Sequence, residues 1–291
     1  MSLRFKQVDV FTDKPFLGNP VAVVLGADAL DTAAMQGVAN WTNLSETTFV
    51  LKPTTAGADY RVRIFTPGSE LPFAGHPTLG TAHAALEAGI VTPRGGRLTQ
   101  ECGVGLVGLS VTEAGGRRSL ALDLPPSKST GLTTAQLDEL EACLDAAVER
   151  APAPAVVDVG PKWLVARLKD AASVRALTPD FDRMAVFDAG MGRTGVTVFG
   201  AHPPGGPAAI EVRSFAPSCG VREDPVCGSG NGCVAVFARD GGLLSTYGRS
   251  YVAAQGGCVG RDGRVRVAVA ADGAITLGGD CVTCVDGTIA L

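Results

Sequence analysis

The feature that most constrains the fold of this chain is an internal repeat. Residues 62–67 (VRIFTP) are followed by residues 74–77 (AGHP) and then by an apolar, helix-forming run. Residues 212–217 (VRSFAP) are followed by residues 227–230 (CGSG) and by a second apolar run. The copies begin about half a chain length apart. This repeated order of strand, turn, glycine-polar pair and helix predicts a duplicated α+β unit, forming two similar domains with a cleft between them.

The duplication sets the expected domain boundaries. Residues 125–131 (PPSKSTG) have the composition of a linker. We therefore expect an N-terminal domain of residues 1–124, to which the C-terminal strand 281–291 returns, and a C-terminal domain of residues 125–280. Hydrophobic residues make up 46% of the chain and charged residues 19%, so enough apolar side chains are present to bury a core.

Hydrophobic patterning predicts the elements around the two copies. A helix capped by Asp31 should bury Met35, Val38 and Ala39, and a second helix with a Thr133–Gln136 capping box should extend to Val148. Strands are expected at residues 8–11, 21–25, 47–51, 60–65, 120–122, 163–168, 185–187, 196–199, 265–270 and 287–291.

Charge and composition exclude several classes of protein. The chain has 25 basic and 29 acidic residues and no run of five or six like charges, so we expect no nucleic-acid or membrane partner. The start of the sequence lacks a basic segment followed by an apolar one, and no apolar stretch reaches the ~18 residues of a membrane span. We therefore expect a cytoplasmic protein whose eight cysteines are free thiols.

The glycine of each repeated glycine-polar pair lies where a strand gives way to a helix. Backbone N–H groups at a helix N-terminus have no intrahelical partner, and the helix dipole there favours an anion. Gly75 and Gly228 are therefore candidates for binding a small carboxylic acid. A base beside them could remove a proton next to the carboxylate, while the N–H donors stabilise the developing negative charge.

Four side chains near these glycines are candidates for the chemistry. Glu46 lies at a helix-to-strand junction, from which a carboxylate can face a cleft. His76 can donate a hydrogen bond or shuttle a proton, and Asp224 could act chemically or serve only the Asp-Pro turn. Cys227 directly precedes Gly228, and a helix N-terminus there would lower the pKa of its thiol.

Zinc binding is a further possibility that the pattern disfavours. Cys281 and Cys284 have the two-residue spacing of zinc ligands. Their segment has the composition of a strand, in which residues three apart point to opposite faces. We therefore expect no metal site.

Several motifs, taken in order, resemble those of the PhzF-like phenazine-biosynthesis isomerases. The resemblance runs nearly end to end and implies the diaminopimelate-epimerase-like fold. That fold is α+β, with two pseudo-symmetric domains that are each a curved β-sheet wrapped around a central helix. It also implies a homodimer that uses no cofactor. The motifs are residues 18–23 (GNPVAV), 43–50 (NLSETTFV), 63–67 (RIFTP), 70–77 (ELPFAGHP), 215–217 (FAP), 220–226 (GVREDPV) and 228–229 (GS).

The resemblance also implies a role for each matching residue. The family's glutamate, which moves a proton between carbons of a cyclic dihydro-hydroxyanthranilate, falls on Glu46. Its Gly-His-Pro histidine falls on His76 and its Glu-Asp-Pro aspartate on Asp224, which completes the catalytic candidates. The implied substrate contacts are Gly75, Gly228 and Ser229, and we expect Ser45 and Cys227 to contact the substrate as well.

One departure bears on the reaction. Epimerases and racemases of this fold place a cysteine before each glycine pair, whereas this chain has Cys227 at one position and Ala74 at the other. The expected function is therefore a cofactor-independent isomerase that moves a proton on a small cyclic or amino-acid-like carboxylic acid, with Glu46 as acid/base. Two alternatives stay open: an epimerase or racemase pairing Cys227 with Glu46, and a non-catalytic small-acid-binding or interaction module.

Overall fold

The computed structural model describes residues 1–291, which divide into two compact units. Unit 1 comprises Met1–Asp123 and Gly278–Leu291, and unit 2 comprises Leu124–Leu277. The last strand, β17 (Ile275–Ala290), begins in unit 2 and continues through unit 1. None of the helices is long and apolar enough to cross a membrane.

Unit 1 is a mixed sheet around one buried helix, α2. Nearly every residue of α2 after Gly75 is buried, which is the pattern of a helix at the centre of a core. A shorter helix, α1, begins at its Asp31 N-cap and buries Met35, Val38 and Ala39, as the sequence predicts. The elements of unit 1 are β1 (Ser2–Val10), β2 (Asn19–Leu25), α1 (Thr32–Thr42), β3 (Thr47–Leu51), β4 (Tyr60–Phe65), β5 (Glu70–Leu71), α2 (Gly75–Glu87), β6 (Arg97–Cys102), β7 (Gly105–Ala114) and β8 (Arg117–Asp123).

Unit 2 has the same plan around its own buried helix, α6. The elements of unit 2 are β9 (Lys128–Gly131), α3 (Thr134–Leu144), β10 (Ala155–Asp158), β11 (Lys162–Arg167), α4 (Ala171–Ala176), α5 (Phe181–Met191), β12 (Gly195–Ala201), β13 (Ile210–Ala216), β14 (Val221–Asp224), α6 (Gly228–Asp240), α7 (Leu244–Tyr247), β15 (Ser250–Gln255) and β16 (Gly263–Val269). Two short 3₁₀ turns, Pro217–Cys219 and Gly257–Val259, complete it.

Strand pairing demonstrates the duplication. In unit 1, β2 pairs antiparallel with β1 and parallel with β3, and β4 pairs antiparallel with β3 and β5 and parallel with β6. In unit 2, the series β10 to β15 repeats these pairings with the same directions. The fold is therefore the predicted α+β arrangement of two pseudo-symmetric units, each a sheet around a central helix.

Three predictions about individual elements are wrong. Residues 185–187 lie inside α5 rather than in a strand, because Asp180 caps that helix by accepting a hydrogen bond from Arg183 N–H. The predicted linker contains strand β9, whose exposed residues pair antiparallel with β10 through the backbone. The helix with the Thr133–Gln136 capping box ends at Leu144, because Asp145 adopts a left-handed conformation, and Val148 is buried beyond its end.

Candidate active site

The candidate site of unit 1 lies at the N-terminus of α2. Ala74 is the extended N-cap residue and makes no side-chain cap, and Gly75 is the first helical residue. A Cβ built on Gly75 would meet no atom within 4 Å. The helix therefore begins beside open space, with first-turn N–H groups that no side chain of the N-cap satisfies.

His76 and Glu46 meet beside this helix start. His76 Nε2 lies 3.3 Å from Glu46 Oε2, and the Glu46 side chain is 15% exposed. Asn19, from β2, places its amide nitrogen 3.4 Å from His76 Nδ1, and the imidazole also makes a hydrogen bond with the Pro20 backbone. The structure thus brings together two predicted catalytic residues that are 30 positions apart in the sequence. Ser45 precedes Glu46 in the segment between α1 and β3 and is partly buried.

Burial keeps the His76 ring neutral. The side chain is almost completely buried, and this desolvation lowers the pKa of His76 to about 3, while the contact with the Pro20 backbone opposes the shift. Near neutral pH the imidazole that faces the Glu46 side chain is therefore uncharged. Because proline has no backbone N–H, the single N–H of the neutral ring is donated to the Pro20 carbonyl, and the other ring nitrogen is an uncharged acceptor.

A separate candidate site, in unit 2, lies at the N-terminus of α6. Cys227 is the N-cap residue, Gly228 is the first helical residue, and Cys227 Sγ accepts a hydrogen bond from Gly230 N–H over 3.2 Å. Gly230 is required there, because a Cβ would lie 2.6 Å from Ser214 Oγ. Ser229 Oγ lies 3.6 Å from Cys227 Sγ.

The loop that carries Asp224 and Cys227 is fixed by two side-chain amides. Gln255 Oε1 accepts from Cys227 N–H, and Gln255 Nε2 donates to the Asp224 carbonyl. Asn231 donates to both Gln255 Oε1 and the Cys227 carbonyl. Asp224 Oδ1 accepts from Val226 N–H, which is the turn contact that the Asp-Pro sequence predicts, and its carboxylate also bonds the Cys227 thiol.

The expected activation of Cys227 is wrong in direction. Burial raises the pKa of the Cys227 thiol well above its ordinary value, and the nearby charge of Asp224 raises it further. Hydrogen bonds from Ser229 and Gly230 act in the opposite sense but are weaker. Desolvation of the sulfur therefore outweighs the helix N-terminus, and Cys227 is a protonated thiol near neutral pH.

Sequence reasoning missed the residues that support the site. Asn19 lies within one of the motifs, and the sequence predicts no role for Trp163, Gln255 or Asn231. Trp163 Nε1–H donates to Ser229 Oγ over 2.9 Å from a residue 66 positions away. No spacing rule connects such positions, so only the sheet pairing that places β11 beside α6 reveals the contact.

All eight cysteines are free thiols, as the sequence predicts. Cys281 and Cys284 both lie on β17. No three His, Cys, Asp or Glu side chains are grouped so that they could hold a metal ion.

Ionisation of Asp224 should lower the stability of the protein. Burial raises the pKa of Asp224 to about 6 from an ordinary value near 3.8, so unfolding releases a proton between these pH values and stability falls as pH rises. An Asp224→Asn variant, which keeps an acceptor for Val226, should match the wild type near pH 4. Above pH 6 it should be more stable by roughly 1–2 kcal/mol, less than the full ~3 kcal/mol because the residue keeps some solvent contact.

Urea unfolding of both proteins at several pH values measures this difference. A stability difference that stays constant from pH 4 to pH 8 would show that Asp224 does not titrate in this range.

Comparison with known proteins decides the family. The sequence profile of the phenazine biosynthesis-like proteins (PhzC-PhzF) matches residues 8–287. The chain belongs to this family. Antisense-enhancing sequence 1 of Schizosaccharomyces pombe is 42% identical to this PhzC-PhzF protein over 97% of both chains. The trans-2,3-dihydro-3-hydroxyanthranilate isomerase of Pseudomonas aeruginosa is 35% identical over 90% of this chain and 88% of its own.

A solved structure supports the fold independently. The crystal structure of a PhzF family phenazine biosynthesis protein from Bacillus anthracis covers the whole of both chains with a TM-score of 0.85 at 22% identity. The predicted resemblance and fold class are therefore confirmed. Relatives in the PhzC-PhzF family are isomerases, so the predicted enzyme class is confirmed.

Proposed function

We propose that this PhzC-PhzF protein moves a proton between carbons of a small cyclic or amino-acid-like carboxylic acid, with Glu46 as the acid/base. The observation that carries the proposal is the contact between the Glu46 carboxylate and the neutral His76 ring beside the open N-terminus of α2. A carboxylate that is mostly withdrawn from water is suited to take a proton from carbon and return it to another carbon.

Each group around Glu46 has a separate role in the proposed reaction. As Glu46 removes the proton, negative charge develops on the substrate, and N–H groups of the first turn of α2 can stabilise it. The neutral His76 ring donates its one N–H to the Pro20 carbonyl, so its other nitrogen can accept a hydrogen bond from a polar group of the substrate. Asn19 and Pro20 hold the ring in place, so this acceptor needs no reorganisation during the reaction.

In unit 2, the N-terminus of α6 is proposed to bind a carboxylate. Gly228 begins α6, so its N–H lies in the first helical turn, and the Ser229 hydroxyl is the adjacent side-chain donor. An anion there gains from both the helix dipole and these hydrogen bonds. Because the proposed reaction moves a proton without net oxidation or reduction, we propose that it needs no cofactor.

The experiment that tests the proposal is proton exchange with solvent. The purified protein is incubated in D₂O with trans-2,3-dihydro-3-hydroxyanthranilate, the compound named for the P. aeruginosa relative, and with a panel of small cyclic and amino-acid-like acids. We expect one of these acids to gain deuterium at carbon, measured by NMR and mass spectrometry. Tight binding of an acid from the panel with no exchange at any carbon would contradict the isomerase and favour the binding module.

The epimerase alternative requires Cys227 to act as a base, and its thiol chemistry can be tested directly. Burial and the charge of Asp224 both keep the proton on sulfur. We therefore expect a maleimide near neutral pH to modify the exposed Cys219 and Cys258 first, and Cys227 at least roughly tenfold more slowly. Peptide mapping by mass spectrometry gives the order, and preferential labelling of Cys227 would support the epimerase instead.

A further inference from the structure

Trp163 makes a contact that fixes the hydroxyl group of Ser229. Trp163 lies on β11, is almost completely buried, and donates its indole N–H to Ser229 Oγ over 2.9 Å. An indole nitrogen can only donate a hydrogen bond. Ser229 Oγ must therefore accept there, and the hydroxyl proton of Ser229 has to point to another group.

The groups beyond Ser229 have the same direction of hydrogen-bond donation. Ser229 Oγ lies 3.6 Å from Cys227 Sγ, and the Cys227 thiol bonds the Asp224 carboxylate. An ionised carboxylate can only accept. A chain with a donor-only group at one end and an acceptor-only group at the other has a single consistent direction, from Trp163 through Ser229 and Cys227 to Asp224.

Packing holds the indole ring in this position. Trp163 pairs with Gly195 across the parallel strands β11 and β12, and a Cβ on Gly195 would lie 2.9 Å from Trp163 Cζ3. The ring therefore occupies the space that a side chain at position 195 would need. A donor held so closely keeps its direction when a ligand binds.

Unit 1 has an equivalent contact between a strand and its central helix, made by different types of side chain. His76 is the second residue of α2 and is contacted by Asn19 of β2. Ser229 is the second residue of α6 and is contacted by Trp163 of β11. In the duplicated topology β2 corresponds to β11 and α2 to α6, so each unit uses a strand side chain to orient the polar residue at the start of its central helix.

We propose that Trp163 is a positioning residue of unit 2, which keeps the Ser229 hydroxyl as a hydrogen-bond donor to an anion at the N-terminus of α6. Without ligand the proton is donated to Cys227 Sγ, a weak acceptor. A carboxylate oxygen is a stronger acceptor and takes its place. The inference rests on the proposed function only in taking that anion to be the substrate's carboxylate.

The first test needs no ligand. The chain has two tryptophans, and Trp41 is 77% exposed, so ¹⁵N-labelled protein should show two indole N–H resonances that Trp41→Phe and Trp163→Phe assign. We expect a downfield, hydrogen-bonded Trp163 resonance that moves upfield in Ser229→Ala, while the Trp41 resonance stays in place. A Trp163 resonance unchanged by Ser229→Ala would overturn the proposal, and this test remains decisive if Trp163→Phe fails to fold.

The second test measures coupling between the two residues. Benzoate serves as the carboxylate probe and uncharged benzamide as its control, with Trp41→Phe as the matched tryptophan variant. Trp163→Phe keeps the ring but removes the donor, and should weaken benzoate binding roughly 3–10-fold, the effect of one hydrogen bond. In the Ser229→Ala background it should have no further effect. Additive losses, or a wild type that binds benzoate no better than benzamide, would overturn the proposal.

The two tests separate this inference from the proposed function. Absence of deuterium exchange together with coupled benzoate binding would refute the isomerase and retain Trp163 and Ser229 as an anion-positioning pair. Deuterium exchange together with a Trp163 indole resonance that is unchanged by Ser229→Ala would retain the isomerase and refute the role of Trp163.

Discussion

Replacing Glu46 by glutamine is expected to lower kcat by about 10²–10⁴-fold, the usual contribution of a general acid/base. Glutamine has nearly the shape of glutamate and can still contact His76 Nε2, which lies 3.3 Å from the carboxylate in the wild type. It cannot accept a proton from carbon at any pH near neutrality. The affinity for substrate should therefore change little, while deuterium exchange from D₂O into the substrate is lost.

A matched variant separates proton transfer from a general loss of charge. Glu113 lies on β7, is exposed and pairs with Arg118, so Glu113→Gln removes the same charge away from the candidate site. We expect that variant to exchange deuterium at the wild-type rate. If Glu46→Gln exchanges at the rate of Glu113→Gln, Glu46 is not the acid/base and the proposed mechanism is wrong.

The duplication made most of the fold predictable. A repeated strand, turn and helix order can form two similar units only if the strand pairings also repeat, and they do from β1 to β6 and from β10 to β15. Local signals located individual elements equally well. Asp31 caps α1 because its side chain accepts from Ala34 N–H, and the Thr133–Gln136 capping box begins α3.

The errors came from segments in which local signals are weak or tertiary contacts override them. The apolar residues 185–187 suit a strand or a helix, and the Asp180 cap decides for the helix. Strand β9 has polar, exposed residues and exists because its backbone pairs with β10, which no composition rule reveals. The pKa of Cys227 depends on how deeply the sulfur is buried, and the sequence carries little information on that.

The sequence predicts individual residues of the candidate site but not the side-chain contacts between them. Motif spacing placed Gly75 and Gly228 at helix starts, and both are the first residues of their helices. The contacts that orient the site cross between strands and helices: Asn19 reaches His76, and Trp163 reaches Ser229. Such contacts depend on strand register, so they emerge only when the sheet is assembled.

The buried His76 should make the protein sensitive to acid. Burial holds the pKa of His76 at about 3, whereas the unfolded chain takes up the proton near 6.5. Between these pH values the unfolded state binds more protons, so stability falls as pH is lowered from 6.5 towards 3. At pH 4.5 the loss attributable to this residue should be about 3 kcal/mol, because each pH unit in this window is worth ~1.4 kcal/mol. His76→Asn should remove that loss, even if it starts from a lower stability near neutral pH.

A second buried histidine on the same helix provides the comparison. Burial also lowers the pKa of His83, seven residues further along α2, so His83→Asn should remove a separate part of the acid sensitivity. The two side chains lie about two helical turns apart, roughly 10 Å, so their effects on the pH dependence should add in the double variant. Urea unfolding of the wild type and the three variants at about pH 7 and pH 4.5 measures these differences. If His76→Asn loses as much stability as the wild type between the two pH values, His76 is protonated in the folded protein, and the neutral ring that the proposed mechanism places beside Glu46 does not exist.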